Sequence, residues 1–377
     1  MKNQIFLFSI LSIFTLESAI GQNITYNQLM DSTNVDTQKV IKLFENYIRS
    51  REDTLSFNPY WSTVEQKDHE YFDFLESEFK PSLYMGFPVH VLSVKNDGSE
   101  YEIKAQFTFC QENQVPYVLA TVNYLVKKEN GEYKLFNILT KNRQRWQFQR
   151  VGLISYYYPD YHEFQLDRAE EANQFIYKIT DIFDVVPISF EYYMAGDYDE
   201  IQEIKGFDYY IGMGGRVKPS GKAAYDKIYC AGLGENYLHE IYHVQIDQHY
   251  PNKHYWVTEG VATFLSGASR GKPLDWHFKR LHKHLQANPE LNLNNLLDYV
   301  NLDEYTDYHY GIGSLVVKRI YEKGGWSLVK KLMKSGQSKE DYYKALEDLL
   351  GVSQSELNEY IREQLRLESE GSRHSEK

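Results

Sequence analysis

The chain has 377 residues, 53 acidic and 41 basic, for a formal charge of −12. Without clustered Lys and Arg, that balance argues against nucleic acid as a partner. Its two cysteines, Cys110 and Cys230, are too few and too far apart for a disulfide scaffold or a cysteine metal site, and are read as two small buried thiols.

Residues 1–21 combine Lys2, an apolar run from Ile5 to Phe14, and small residues Ala19 and Gly21 placed for cleavage before Gln22. These are the parts of a secretory signal peptide, so a periplasmic or secreted protein is expected. No other segment approaches 18 uninterrupted apolar residues, which predicts no stable membrane insertion.

Residues 22–150 read as an N-terminal α+β accessory domain. Val40, Ile41, Leu43, Phe44 and Ile48 give residues 35–50 helical periodicity, and an aromatic helical stretch runs from Tyr60 to Phe79. Alternating runs then predict strands at Val89–Val94, Tyr101–Phe109, Val115–Val126 and Tyr133–Leu139, with turns at Asn96-Asp97-Gly98 and Glu129-Asn130-Gly131. By element order this unit resembles cone-shaped nuclear-transport-factor-like domains. The basic run Lys141–Arg150, with Trp146 and Phe148 between its arginines, is read as a strand with a solvated face.

A second domain is expected over residues 151–367: a helix at Glu170–Phe183, strands at Ile188–Tyr193, Phe207–Met213 and Lys227–Ala231, then mainly helices. Gly212, Gly214 and Gly215 make Tyr209–Val217 a candidate edge strand for backbone pairing with a substrate. Ser338-Lys339-Glu340-Asp341 opens a helix that Gly351 ends, and Ser353-Gln354-Ser355-Glu356 is a capping box for the next. The polar tail, residues 368–377, is expected to be disordered.

The chemistry is concentrated in His239-Glu240-Ile241-Tyr242-His243. Histidines four positions apart share one helix face, one turn apart, so both imidazoles can reach one zinc ion. Glu240, beside the ligands but off their face, suits a general base. A zinc hydrolase keeps one coordination position for water and therefore needs a third protein ligand. His249 is one candidate, but the spacing that uses a third histidine needs glycine at position 246, where the chain must leave the helix with positive φ. This chain has the β-branched Ile246 there. Glu259, at the start of an apolar helical segment, is the stronger candidate.

These residues resemble the gluzincin metallopeptidases of the peptidase MA-like superfamily. There the H-E-x-x-H helix is followed by a second helix bearing a glutamate ligand, in one branch within a W-x-x-E-G-x-A phrase that Trp256–Ala262 matches. The resemblance implies an α+β peptidase domain made of a small mixed sheet, the H-E-x-x-H helix and a C-terminal helical bundle. It also implies zinc held by His239, His243 and Glu259, and a peptide or protein substrate. Tyr308, in Tyr308-His309-Tyr310-Gly311, matches the tyrosine that stabilises the oxyanion, with Tyr310 and His309 as neighbours able to take its place. The aminopeptidases of the group carry a glutamate upstream in a G-x-M-E-N phrase. Here Met213 is followed by Gly214 and Gly215, which favours an endopeptidase or another hydrolase. The expected chemistry is attack by metal-activated water with Glu240 as base. The alternative is a cell-envelope binding protein that keeps the fold without turnover.

Overall fold

The structure, a computed structural model, describes residues 23–30, 33–50, 58–67, 87–110, 115–215 and 220–371. The expected signal peptide lies outside the described residues, as does most of the helical stretch expected from Tyr60 to Phe79. The first elements are β1 (Ile24–Tyr26), α1 (Val35–Arg49), α2 (Thr63–Lys67), β2 (Val89–Asn96), β3 (Tyr101–Cys110), β4 (Pro116–Glu129), β5 (Glu132–Phe136) and α3 (Leu139–Asn142). Then come β6 (Gln147–Val151), β7 (Ile154–Tyr158), α4 (Leu166–Phe183), β8 (Phe190–Ala195), α5 (Tyr198–Ile204), β9 (Phe207–Tyr210), β10 (Gly221–Ala224) and β11 (Lys227–Ala231). The remainder is α6 (Leu238–Ile246), α7 (Tyr255–Ser266), the short strands β12 (Ala268–Ser269) and β13 (Lys272–Pro273), and helices α8 (Leu274–Ala287), α9 (Tyr308–Leu332), α10 (Lys339–Leu350) and α11 (Leu357–Gly371). The class is mixed α+β. Among the described residues no helix is long and apolar enough to cross a membrane.

The chain forms two compact units. The first takes the described residues through Asn142 and recovers Gln202–Met213 from later in the sequence. Its sheet runs β1-β2-β3-β4-β5, antiparallel from β2 onward. Asn34 caps α1 by accepting from the Asp36 and Thr37 amides, and the helix buries Val40, Phe44, Tyr47 and Ile48. Phe44 meets Tyr124 of β4 edge-on at 5.0 Å between ring centroids. Asn130 and Gly131, both with positive φ, make the tight β4–β5 turn.

Phe207–Met213 was expected in the second domain; instead β9 pairs antiparallel with β4, Ala120 opposite Tyr210 and Val122 opposite Phe207. Gly206 permits the return. Its φ is 104°, and a Cβ there would fall 2.5 Å from the Ile138 side chain and 3.0 Å from the Asn123 carbonyl oxygen. The candidate substrate edge at Tyr209–Val217 therefore begins inside the first unit's sheet, and Val217 lies outside the described residues.

The second unit comprises Arg143–Ile201 and the chain from Gly214. The division falls before Val151 because Gln147–Val151 pairs with β7. Only that part of the basic run is strand; Leu139–Arg145 forms helical turns, and Arg143 pairs with Glu191 rather than facing solvent alone. The sheet order is β10-β11-β8-β7-β6, with β11, β8 and β7 parallel and an antiparallel strand at each edge. Ala172, Phe175, Ile176 and Ile179 of α4 share one core with Ile154, Tyr156 and Tyr192 of the sheet and Ile241, Val261 and Ile312 of the later helices. Apolar spacing along α4 puts these residues on one face, so burying that face fixes α4 against the sheet.

Helix α10 is capped by reciprocal Ser338–Asp341 hydrogen bonds and ends at Gly351 with φ 77°. Residues 368–371, expected in the disordered tail, are helical. Helix α11 continues to Gly371, with Glu368 paired to Lys318 and Arg319 of α9, and residues 372–377 lie outside the described residues. Cys230 is buried, but Cys110 is exposed at the end of β3, which corrects the expectation of two buried thiols; both are free.

Candidate metal centre

The loop into α6 is fastened before the helix begins. Arg168 of α4 donates to the Leu233 carbonyl and to Asn236, and the Tyr192 hydroxyl donates to the Gly234 carbonyl and accepts from the Tyr237 amide. At the other end Gln245, fully buried, clamps the amide and carbonyl of Ile188 at 3.0 and 2.8 Å. Ile241, Tyr242, Val244 and Ile246 are buried, and Ile241 and Val244 lie across the helix from His239 and His243.

Helix α7 supplies the third group. His254 caps it, accepting from the Trp256 amide, and Trp256, Val257, Val261 and Ala262 are buried. Glu259 and Thr263, four residues apart, point to the histidines. His239 Nε2 stands 3.1 Å from Glu259 Oε2, His243 Nε2 3.5 Å from the same oxygen, and the two Nε2 atoms 3.1 Å from each other. Three ligands at 2.0–2.1 Å in tetrahedral array lie roughly 3.3–3.4 Å apart. The observed triangle is that size, and all three groups are nearly or fully buried. Two nitrogen atoms and one carboxylate oxygen suit zinc, nickel or iron(II) alike, so the triangle defines a divalent-metal geometry and not one element.

The surroundings orient the histidines. His243 Nδ1 lies 2.8 Å from Asp247 Oδ2, and Lys253 Nζ stands 2.8 Å from the other Asp247 oxygen. A carboxylate only accepts, so His243 carries a proton on Nδ1, which fixes the ring with Nε2 turned toward His239 and Glu259. Burial opposes charge on His243, but its hydrogen bonds to Asp247 and Glu259 raise its pKa well above the ordinary value. Burial likewise opposes charge on Glu259, and the two histidines more than offset it, holding the carboxyl far below the usual range.

Glu240 is outside the triangle. Its Oε2 accepts the Ala223 amide at 2.7 Å, so β10, an edge strand among the described residues, stands beside it. Ile246 is helical, φ −114°, and His249 is exposed on the short turn that follows, away from the cluster.

Of the tyrosines, the structure brings Tyr310 rather than Tyr308 to the cluster. The Tyr310 ring meets His239 edge-on at 5.5 Å. Tyr308 packs on Tyr299 at 5.2 Å and is buried. Positions two apart on a helix face about 200° apart, so only one of the pair can look at the histidines. Burial, then Glu259 and the neighbouring Tyr255, Tyr237 and Glu240, raise the Tyr310 pKa, leaving a protonated hydroxyl as donor. Tyr255, half exposed, places its hydroxyl 3.2 Å from His309 Nε2. Asp247 and Thr263 were not singled out in the sequence, although each stands four residues after a ligand on the same helix face. No protein-family model matches the chain, and no curated protein matches it in sequence.

Proposed function

We propose that the chain is an exported zinc-dependent hydrolase of peptide bonds with a gluzincin-like centre. The observation that carries this reading is the buried triangle of His239 Nε2, His243 Nε2 and Glu259 Oε2, of a size to hold one tetrahedral divalent ion. The order of mixed sheet, α6, α7 and later helices agrees with the resemblance drawn from the motif, and the export setting rests on residues 1–21.

When bound, zinc at this position supplies Lewis acidity and a water acidic enough to attack at neutral pH. Glu240 would take the attacking water's proton on the carboxylate oxygen not engaged by Ala223 and pass it to the departing nitrogen. Tyr310 would donate a hydrogen bond from its hydroxyl to the developing oxyanion. The peptide lies along β10, the edge strand beside Glu240, in place of the edge expected at Tyr209–Val217.

The test is Glu240→Gln. Purified wild-type protein is expected to hold about one zinc and to cleave members of a broad peptide library. The variant is expected to hold the same zinc with turnover lower by roughly 10²–10⁴-fold. A zinc-loaded wild type that cleaves nothing, with Glu240→Gln indistinguishable from it, would leave a non-catalytic binding protein in its place.

A further inference from the structure

Between α7 and α8 the chain reverses in a two-rung hairpin, Ala268 opposite Pro273 and Ser269 opposite Lys272. The residues at its tip, Arg270 and Gly271, both have positive φ, 48° and 69°. Two left-handed residues in succession are what a type I′ turn demands, and Asn, Asp or Gly meets that demand at least steric cost. A long arginine at the first position is a poor choice for the turn. Its side chain must supply the reason.

Arg270 Nη1 donates to the Glu304 carbonyl at 2.8 Å, and Nη2 to Asp307 Oδ2 at 2.6 Å. Asp307 is buried and directly precedes α9, three residues before Tyr310. On the other side, a Cβ at Gly271 would sit 3.4 Å from the Leu233 side chain, in the loop that leads to α6. The hairpin tip thus lies between the starts of the two helices that bring His239 and Tyr310 together.

Asp307 and Glu304 take up part of the guanidinium fork and fix its plane. The side chain is still 37% exposed, so it is not sealed off by these two partners. Its charge also reaches groups around the cluster. Burial is the largest influence on Tyr237, Tyr255 and His309, and at all three Arg270 adds a pull toward lower pKa.

We propose that Arg270 binds a carboxylate of the substrate and so makes the centre selective for peptides carrying one near the scissile bond. A planar guanidinium has five N–H groups, so one held by a carboxylate and a carbonyl keeps donors for a second carboxylate, which a lysine cannot offer in a fixed plane. The carboxylate is either the peptide's own C-terminus or an Asp or Glu side chain. The inference rests on the peptide-hydrolase reading above, because it takes the metal triangle as the reacting centre.

The experiment is calorimetric titration of the zinc-loaded full chain with short peptide hydroxamates, whose hydroxamate seeks the metal. One pair differs only in a free or amidated C-terminus. The other, amidated throughout, differs only in Glu or Gln. The carboxylate member of one pair is expected to bind about tenfold tighter than its amide, and Arg270→Gln to bring that ratio close to one. Whichever pair shows the preference identifies the source. Should Arg270→Gln fail to fold, Arg270→Lys decides, since it keeps the charge and loses the fork, and the ratio should fall about threefold or more.

A hairpin tether alone would lower the melting temperature of the variants and leave the ratio unchanged. That result, or hydroxamates that bind the wild type with no preference in either pair, overturns the proposal while the hydrolase reading stands. Hydroxamates that do not bind the zinc-loaded wild type at all overturn both.

Discussion

Gly260 of α7 lies against Gly313 of α9 so closely that a Cβ built on Gly260 would fall 2.7 Å from the Gly313 carbonyl carbon and oxygen. The reverse contact is also tight: a Cβ on Gly313 would sit 3.0 Å from the Trp256 carbonyl oxygen. Helix α7 is therefore held between α6, which Glu259 faces, and α9, which Gly260 faces. The pairing of glutamate and glycine in the Trp256–Ala262 phrase has a steric meaning.

Gly260→Ala should push α7 away from α9 or α9 out of place. Overpacking of this kind costs about 1–3 kcal/mol, so the urea midpoint should fall with the slope unchanged. Displacement of Glu259 should also weaken metal binding in the protein that remains folded. A variant as stable as wild type with full zinc content would show that the helices have room the geometry denies them.

Metal content separates the two candidate third ligands. Glu259→Ala should leave the dialysed protein with little zinc and a melting temperature that chelator no longer lowers, because a ligand that binds only the native state stabilises it by mass action. His249→Ala, an exposed change, should keep about one zinc and alter stability by no more than about 0.5 kcal/mol. Zinc that follows His249 and not Glu259 would refute the site.

Asp247 holds His243 by its Nδ1 proton and is itself paired with the buried Lys253. Asp247→Asn keeps the size and removes the charge, so His243 loses its fixed tautomer and some ligand basicity. Zinc affinity, measured by competition with a chromogenic chelator, should drop about 10–100-fold. An unchanged affinity would mean that the helix alone orients the ring.

Local rules made much of this visible in the sequence. The i, i+4 spacing of His239 and His243, the caps at Ser338 and Gly351, and the Asn130-Gly131 turn depend on residues a few positions apart, and the structure has them where the spacing points. What was hidden depends on distant partners. Strand β9 is four residues long and finds β4 more than eighty positions earlier through a glycine whose Cβ would clash. The end of α11 reads as polar tail until Glu368 meets Lys318 and Arg319. Asp247 was legible in principle, four residues after His243, but helix-face spacing does not say which acidic neighbour a ligand will use.

The choice between Tyr308 and Tyr310 is the sharpest case of that limit, because it depends on helix phase alone. Asp307 precedes the first turn of α9, and that phase turns Tyr308 onto Tyr299 and Tyr310 onto His239. Tyr310→Phe removes one hydroxyl donor at the cluster and should lower kcat by about 10²–10³-fold with zinc content unchanged, the range seen when a single oxyanion donor is lost. Tyr308→Phe removes the hydroxyl of a ring packed on Tyr299 and should leave kcat within about twofold, with any effect confined to stability. Measuring both variants at saturating substrate separates the two positions. A loss of turnover in Tyr308→Phe alone would show that α9 turns in the bound enzyme, and the assignment of the donor to Tyr310 would fall.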